Sequence, residues 1–203
     1  WAACLKTSEH KAIWEPGSKI QRWSQIRQGW PNQPLRLYGA GADSGTFDYF
    51  TEAIVGKAKA IRTDYQPTED DNVTIKGVAG DTYAMGFLGY AYYEENKDKV
   101  KAVAIDHGKG CVLPSRETVL DGTYQPLSRP LFIYVNVKSL DRPEVQAFVD
   151  FYLSPAARRA IRSTGYVELP SEAYRIGQEL VKRRKAGTFF MELPAGTPLS
   201  KFI

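Results

Sequence analysis

Cysteine and histidine are scarce, with two of each in 203 residues. Cys4 and Cys111 form no C-x-x-C pair, and His10 and His107 do not cluster with them. A Cys/His zinc site therefore has no support in the spacing. His107 lies close to Cys111 in sequence, so a Cys–His nucleophile pair stays open on residue type alone. A single disulfide and two buried thiols are the other readings. Long apolar runs are missing as well. No stretch approaches the roughly 20 residues that a membrane-spanning helix requires. The longest, Pro130–Val135, has the length of a strand. No basic segment followed by an apolar one opens the chain, so no secretory signal is visible, and Trp1 is not an initiator Met. The expectation is a processed, trimmed or fragmentary chain. A strong excess of one charge is also absent, with 27 Lys+Arg against 23 Asp+Glu. The one dense basic cluster, Lys182–Lys185, reads as the solvated end of a helix, where cations suit the dipole. Nucleic acid would call for a wider basic stripe and a recognition motif, and neither is present.

What is there is ordinary globular material. Hydrophobic residues make up 43% and charged residues 25%, which suits one large domain or two small lobes. Ser8 is placed to cap a short helix, and a Trp-, Pro- and Gly-rich loop follows, anchored by Trp14, Trp23 and Trp30. Leu35–Tyr38 reads as a strand, followed by a Gly-rich turn and a helix whose Phe47, Phe50 and Ile54 share one face. Val73–Ala79 and Lys99–Asp106 read as strands. Between them, Asp81–Asn96 reads as a short helical turn and an aromatic stretch. His107–Pro130 reads as a long connection, and Pro130–Val137 as the most strand-like run of all. Asp141 is expected to cap a helix with Pro143 in its first turn and Val145, Phe148, Val149 and Tyr152 on its apolar face. Ser154–Pro155 starts a second helix that stops at Gly165, and Ser171 a third that runs to about Lys185 before Gly187. The tail from Phe189 reads as irregular. The alternation is α/β.

The segment GADSGTFDYF carries the chemistry. The first turn of a helix exposes backbone N–H groups with no intrahelical acceptor, and the helix dipole adds positive potential there. Gly45 lets an anion approach the backbone without a Cβ in the way. Ser44 and Thr46 add hydroxyls beside those amides, so the turn suits a phosphate-like oxyanion. Asp43 could accept a hydrogen bond from a protonated oxyanion and so favour hydrogen phosphate over sulfate. The plainer reading is an ordinary helix cap, with Asp43 or Ser44 as the capping residue. The motif is neither a Walker A loop nor GxSxG nor GxGxxG.

These residues resemble a known family. LRLYGAGADSGTFDYFTEAIVGK is similar to the phosphate-binding protein of the bacterial phosphate ABC transporter, in its cyanobacterial-like branch. The likeness continues in IWEPGSKIQRWSQIRQGWP, in DYQPTEDDNVTIKGVAGDTYAMGFLGYAYYEENKDKVKAV and in GCVLPSRETVLDGTYQPLSRPLFIYV, and so covers nearly the whole chain. The resemblance implies a periplasmic-binding-protein-like architecture of two α/β lobes, with mixed sheets flanked by helices, that closes on phosphate. It implies that Ser44, Gly45 and Thr46 are the phosphate loop, with Asp43 beside them. Many relatives carry an arginine a few residues before the serine. Gly39–Ala42 stand there in this chain, so Arg62 or an arginine from elsewhere is expected to replace it. The resemblance also raises a Cys4–Cys111 disulfide over the other cysteine readings.

One departure is large. Relatives begin with a longer N-terminal segment that builds a first βαβ portion of lobe one and carries a Ser/Thr-rich anion loop. The expectation is that residues 1–124 form the second lobe, with the Ser-Gly-Thr loop and the crossover, and that residues 125–203 return into an incomplete first lobe. The missing portion is expected elsewhere, a second chain being one source. The function implied is high-affinity phosphate binding, without catalysis or cofactor, and delivery to the permease of an ABC importer from a periplasmic or cell-surface position. The alternatives are a phosphatase- or esterase-like hydrolase with Ser44 as nucleophile and His107 as base, and a signalling or adhesion relative without transport.

Overall fold

The computed structural model describes residues 1–187 and Thr197. The expected irregular tail lies outside the described residues apart from Thr197. In chain order the elements are β1 (Cys4–Lys6), α1 (Thr7–Trp14), a 3-10 turn at Trp23–Gln25, β2 (Arg36–Ala40) and α2 (Gly45–Phe50), which runs on as a π-helical turn, Thr51–Val55. Then come β3 (Gln66–Thr68), α3 (Asp71–Ala79), β4 (Ala84–Phe87), α4 (Tyr90–Glu95), β5 (Ala104–Asp106), β6 (Cys111–Val112) and α5 (Arg116–Leu120). A 3-10 turn at Val137–Asp141 leads into α6 (Pro143–Tyr152), α7 (Pro155–Ser163) and α8 (Ser171–Lys182).

The strands form two small sheets. One has the order β3-β2-β4 and is wholly parallel; the other has the order β1-β5-β6, with β1 parallel to β5 and β6 antiparallel to it. This is the expected α/β class with a mixed sheet. In the parallel sheet β2 is central and alternates its faces. Tyr38 lies on the α3 side, where its ring fills the space a Cβ at Gly77 would take. Gly39 lies under the ring of Phe87, and a Cβ there would sit 2.3 Å from it. Glycine at 39 is therefore a packing requirement. That ring belongs to the aromatic core. Phe50 and Phe87 stack at 4.0 Å, and Trp14 meets both edge-on at 5.4 and 5.2 Å. Trp23 is fully buried and donates its indole N–H to the Tyr83 carbonyl at 2.8 Å. The loop anchored by Trp14, Trp23 and Trp30 is thus as the sequence suggests.

The Cys4–Cys111 disulfide ties β1 to β6 across a sequence separation of 107. This removes the Cys–His nucleophile reading, because the Cys111 sulfur is already bonded.

Several elements differ from expectation. Val73–Ala79 is helix, not strand. Asp70 caps it by accepting from the Asn72 amide at 2.9 Å, and the buried Thr74 and Ile75 face inward. The β-branched run Val73–Ile75 favours a strand locally, but the cap and the tertiary face override it. The strand is β4 instead, inside the stretch read as a short helical turn followed by an aromatic stretch. Helix α1 starts at Thr7 with Lys6 as N-cap, so Ser8 does not cap it; the Lys6 amide donates to Glu9 Oε2 at 2.7 Å. Arg142, not Asp141, is the N-cap of α6, because Asp141 ends the preceding 3-10 turn. Of the four residues expected on the buried face of α6, only Val149 is buried, and Phe148 is 62% exposed. Pro130–Asn136 belongs to neither sheet. Pro143, Ser154 and Gly165 stand where expected, as first-turn proline, N-cap and left-handed stop at φ 77°.

Candidate functional site: the Ser44–Thr46 helix start

Strand β2 ends at Ala40, and the chain turns through Gly41–Asp43 into α2. Two contacts fix the turn. The Gly41 amide donates to the Thr68 carbonyl at 3.0 Å, and the Asp43 amide donates to Glu69 Oε1 at 3.3 Å. Ser44, not Asp43, is the N-cap. Its extended backbone starts the helix, and its Oγ accepts from the Thr46 amide at 3.1 Å. The first helical bond of α2 runs from the Asp48 amide to the Ser44 carbonyl at 3.2 Å. The Gly45 and Phe47 amides precede that bond and have no acceptor within the helix. Gly45 is exposed and Ser44 and Thr46 are half-buried, so the turn faces solvent while Phe47 and Phe50 anchor its inner side.

An arginine from elsewhere in the chain, one of the two expected alternatives, stands beside this turn, and it is not Arg62. Arg129 Nη2 donates to the Gly45 carbonyl at 3.1 Å, and its guanidinium lies 4.9 Å from the centre of the Tyr49 ring. Tyr49 holds the arginine's own segment in place, with its hydroxyl 2.8 Å from the Pro126 carbonyl and 2.9 Å from the Ser128 carbonyl. The segment Pro126–Arg129 is therefore bolted onto α2. A cation stacked on an aromatic face and bonded to a carbonyl is pre-positioned at little further entropic cost. Arg129 is 84 residues from Gly45 in sequence, and no local spacing rule could have paired them.

Arg62 stands elsewhere. Its buried guanidinium donates to the carbonyls of Ile13 and Ile20, both at 2.9 Å, and forms a two-point pair with Asp64 at 2.5 and 2.9 Å. None of its partners belongs to the loop. This pairing, with a further bond from Gln21, holds the Asp64 carboxyl well below the usual carboxylate range. Arg62 thus ties α1 and the Trp-rich loop to the chain after the π-helical turn. His107, the candidate base for Ser44, has its Nδ1 3.0 Å from Thr7 Oγ1 beside β1 and β5, in the other sheet. The structure does not pair it with Ser44. Among the described residues no group of three or more His, Cys, Asp or Glu side chains could hold a metal ion. No helix among them is long and apolar enough to cross a membrane.

The helix start, the parallel sheet behind it and the returning segment thus bring exposed backbone amides, two hydroxyl side chains and a guanidinium to one end of an α/β domain. The chain belongs to the PBP superfamily: the pattern described as a PBP superfamily domain matches residues 3–156. Within it, the chain is 49% identical to Protein SphX of a Synechocystis species, over 99% of this chain and 62% of that protein. It is 35% identical to the phosphate-binding protein PstS of Staphylococcus haemolyticus, over 84% of this chain and 52% of that one. Among solved structures it is similar to a possible phosphate binding protein from Planctomyces limnophilus, with a TM-score of 0.78 and 42% identity, over 92% of this chain and 66% of that chain. The fold is shared as well with a phosphate-bound protein from Clostridium perfringens, at a TM-score of 0.67 and 24% identity. The chain spans between half and two thirds of the length of these relatives.

Proposed function

We propose that this chain belongs to a receptor that binds inorganic phosphate reversibly, without chemistry on it, and hands it to an ABC importer. The observation that carries the reading is the helix start at Ser44–Thr46 with Arg129 pinned beside it. The free amides of Gly45 and Phe47, the Ser44 and Thr46 hydroxyls and the guanidinium converge on one small anion. Asp43, exposed at the rim, accepts a hydrogen bond from the O–H of hydrogen phosphate; sulfate has no such donor and is disfavoured by the carboxylate's charge. Arg129 takes the cationic role expected of Arg62, whose guanidinium is already engaged. The names of the relatives support phosphate as the ligand, and their partial overlap with this chain supports a site that this chain supplies in part.

In this reading residues 1–124 form one lobe with the anion turn and the crossover, and residues 125–203 return into the other. The remaining donors come from the portion of the family fold that this chain does not span, carried on the same polypeptide or a second one. The receptor works outside the inner membrane, in the periplasm or at the cell surface, where it meets the permease. The test is equilibrium dialysis of labelled phosphate against a protein that carries both portions, with sulfate as competitor. Saturable phosphate binding that excess sulfate does not displace, and that weakens at least about tenfold in Arg129→Gln, is expected. Equal displacement by sulfate, or full affinity without Arg129, would overturn the assignment.

A further inference from the structure

Strand register brings a carboxylate to the anion turn. Ala40 and Thr68 are partners across the parallel pair β2 and β3, so the residues that follow them, Gly41 and Glu69, leave the sheet side by side. The chain is fixed on both sides of Glu69. The Thr68 carbonyl accepts from the Gly41 amide at 3.0 Å, and Asp70 is the N-cap of α3. From there the Glu69 side chain folds back over the turn, and its Oε1 accepts from the Asp43 amide at 3.3 Å. Gly41 makes room for it. A Cβ at position 41 would collide with Glu69 Oε1, while the φ of Gly41 lies outside the left-handed region. The backbone at position 41 therefore places no demand for glycine, and the carboxylate is what excludes a side chain. Tyr65 grips the same turn, donating its hydroxyl to the Ala40 carbonyl at 3.0 Å. Burial raises the Tyr65 pKa, and the nearby Glu69 charge adds to the rise.

We infer that Glu69 is a positioning residue for anion selectivity: it holds the backbone of Asp43 so that the Asp43 carboxylate stands where the O–H of hydrogen phosphate arrives. This rests on the phosphate reading above and deepens it. The charge of Glu69 does not itself discriminate, because it opposes two tetrahedral dianions alike. A carboxylate that accepts a hydrogen bond does discriminate, but only from a fixed place, since the bond weakens steeply with distance and angle. Asp43 is exposed, and it precedes the Ser44 cap rather than forming it. The other backbone bonds of the turn act on Gly41, through its amide to Thr68 and through its carbonyl, which accepts from the Ser44 amide at 3.1 Å. The contact that reaches Asp43 itself is the one from Glu69.

The test compares phosphate and sulfate in a protein that carries both portions of the fold, by equilibrium dialysis at a pH where both anions are doubly charged. The readout is the ratio of the sulfate to the phosphate dissociation constant. Glu69→Ala should lower that ratio about threefold to tenfold, the worth of one hydrogen bond. Glu69→Gln removes the charge but keeps the Oε1 acceptor, and should hold the ratio within about twofold of wild type. Gly41→Ala puts a Cβ where the carboxylate sits and should lower the ratio as Glu69→Ala does. The double variant Gly41→Ala/Glu69→Ala should then be no worse than Glu69→Ala. Glu69 is exposed, so its variants leave the core intact. A purely structural role would weaken both anions together and leave the ratio unchanged. An unchanged ratio in Glu69→Ala would overturn the inference. So would a Glu69→Gln that loses as much as Glu69→Ala, because charge and not the tie to Asp43 would then be the cause. Arg129→Gln separates this inference from the reading beneath it. Weakened phosphate binding in Arg129→Gln, with the ratio intact in Glu69→Ala, overturns the positioning role alone. A wild type that does not distinguish the two anions, or an Arg129→Gln of full affinity, overturns both.

Discussion

Lowering the pH from 7 to 5 should cost this chain much of its stability through one side chain, His10. The residue sits on α1 with 6% exposure, and neither ring nitrogen has a hydrogen-bond partner. An imidazolium there would be a buried charge without an acceptor. Burial pushes the His10 pKa down from 6.5 to about 4, against a smaller opposing pull from the Glu9 carboxylate. The folded state therefore binds fewer protons than the unfolded chain between those values, so stability falls with falling pH in that window. It is fully present above 6.5, and the loss is complete below about 4. The whole shift corresponds to about 3 kcal/mol, of which about 2 kcal/mol falls between pH 7 and 5. Urea unfolding at the two pH values measures it. His10→Phe keeps a buried ring and removes the titration, so its difference between the two pH values should be smaller by about 2 kcal/mol. If wild type and His10→Phe lose the same stability from pH 7 to 5, the burial argument is wrong.

Other expectations concern named contacts. In a protein that carries both portions of the fold, Thr46→Ala should weaken phosphate binding about tenfold to a hundredfold by calorimetry, through loss of a hydroxyl bond to a charged ligand. Arg62→Ala should cost about 3 kcal/mol in urea unfolding, because it leaves the Ile13 and Ile20 carbonyls without their donor and a space where the buried guanidinium was. Its phosphate affinity under folding conditions should match wild type, and a selective loss of affinity would return Arg62 to the site. Replacing Cys4 and Cys111 by serine should cost about 2–4 kcal/mol through the long loop they close; an unchanged unfolding midpoint would contradict that. Residues 1–203 alone should bind phosphate weakly or not at all and should associate, as followed by calorimetry and light scattering. Tight binding by a lone monomer would refute the shared site.

Legibility followed the range of the interactions involved. The N-cap at Ser154, the Pro143 helix start and the Gly165 stop are local chemistry, and each stands where the residues place it, while Ser44 is the cap of the two residues expected there. The Trp23 anchor was legible because a large aromatic in a Pro- and Gly-rich loop has few other ways to be buried. Val73–Ala79 misled because β-branched residues point to a strand, while the deciding facts are the Asp70 cap and the packing of Tyr38 against Gly77. Pro130–Val137 has the composition of a strand, but a strand also needs a ladder partner, and composition does not contain one. At the candidate site, Ser44–Thr46 was visible as a helix start. Arg129 was not, since only the folded chain carries it to Gly45. Arg62 drew attention as an available arginine, and the structure puts it to holding Ile13, Ile20 and Asp64 together.

The central claim is that an oxyanion rests on the start of α2. A crystal structure of the protein with both portions present, grown with phosphate, tests it most directly. Tetrahedral density within hydrogen-bond reach of the Gly45 and Phe47 amides, the Thr46 hydroxyl and the Arg129 guanidinium is the predicted result. Phosphate bound at saturation somewhere else, with the Ser44–Thr46 turn facing only water, would contradict it.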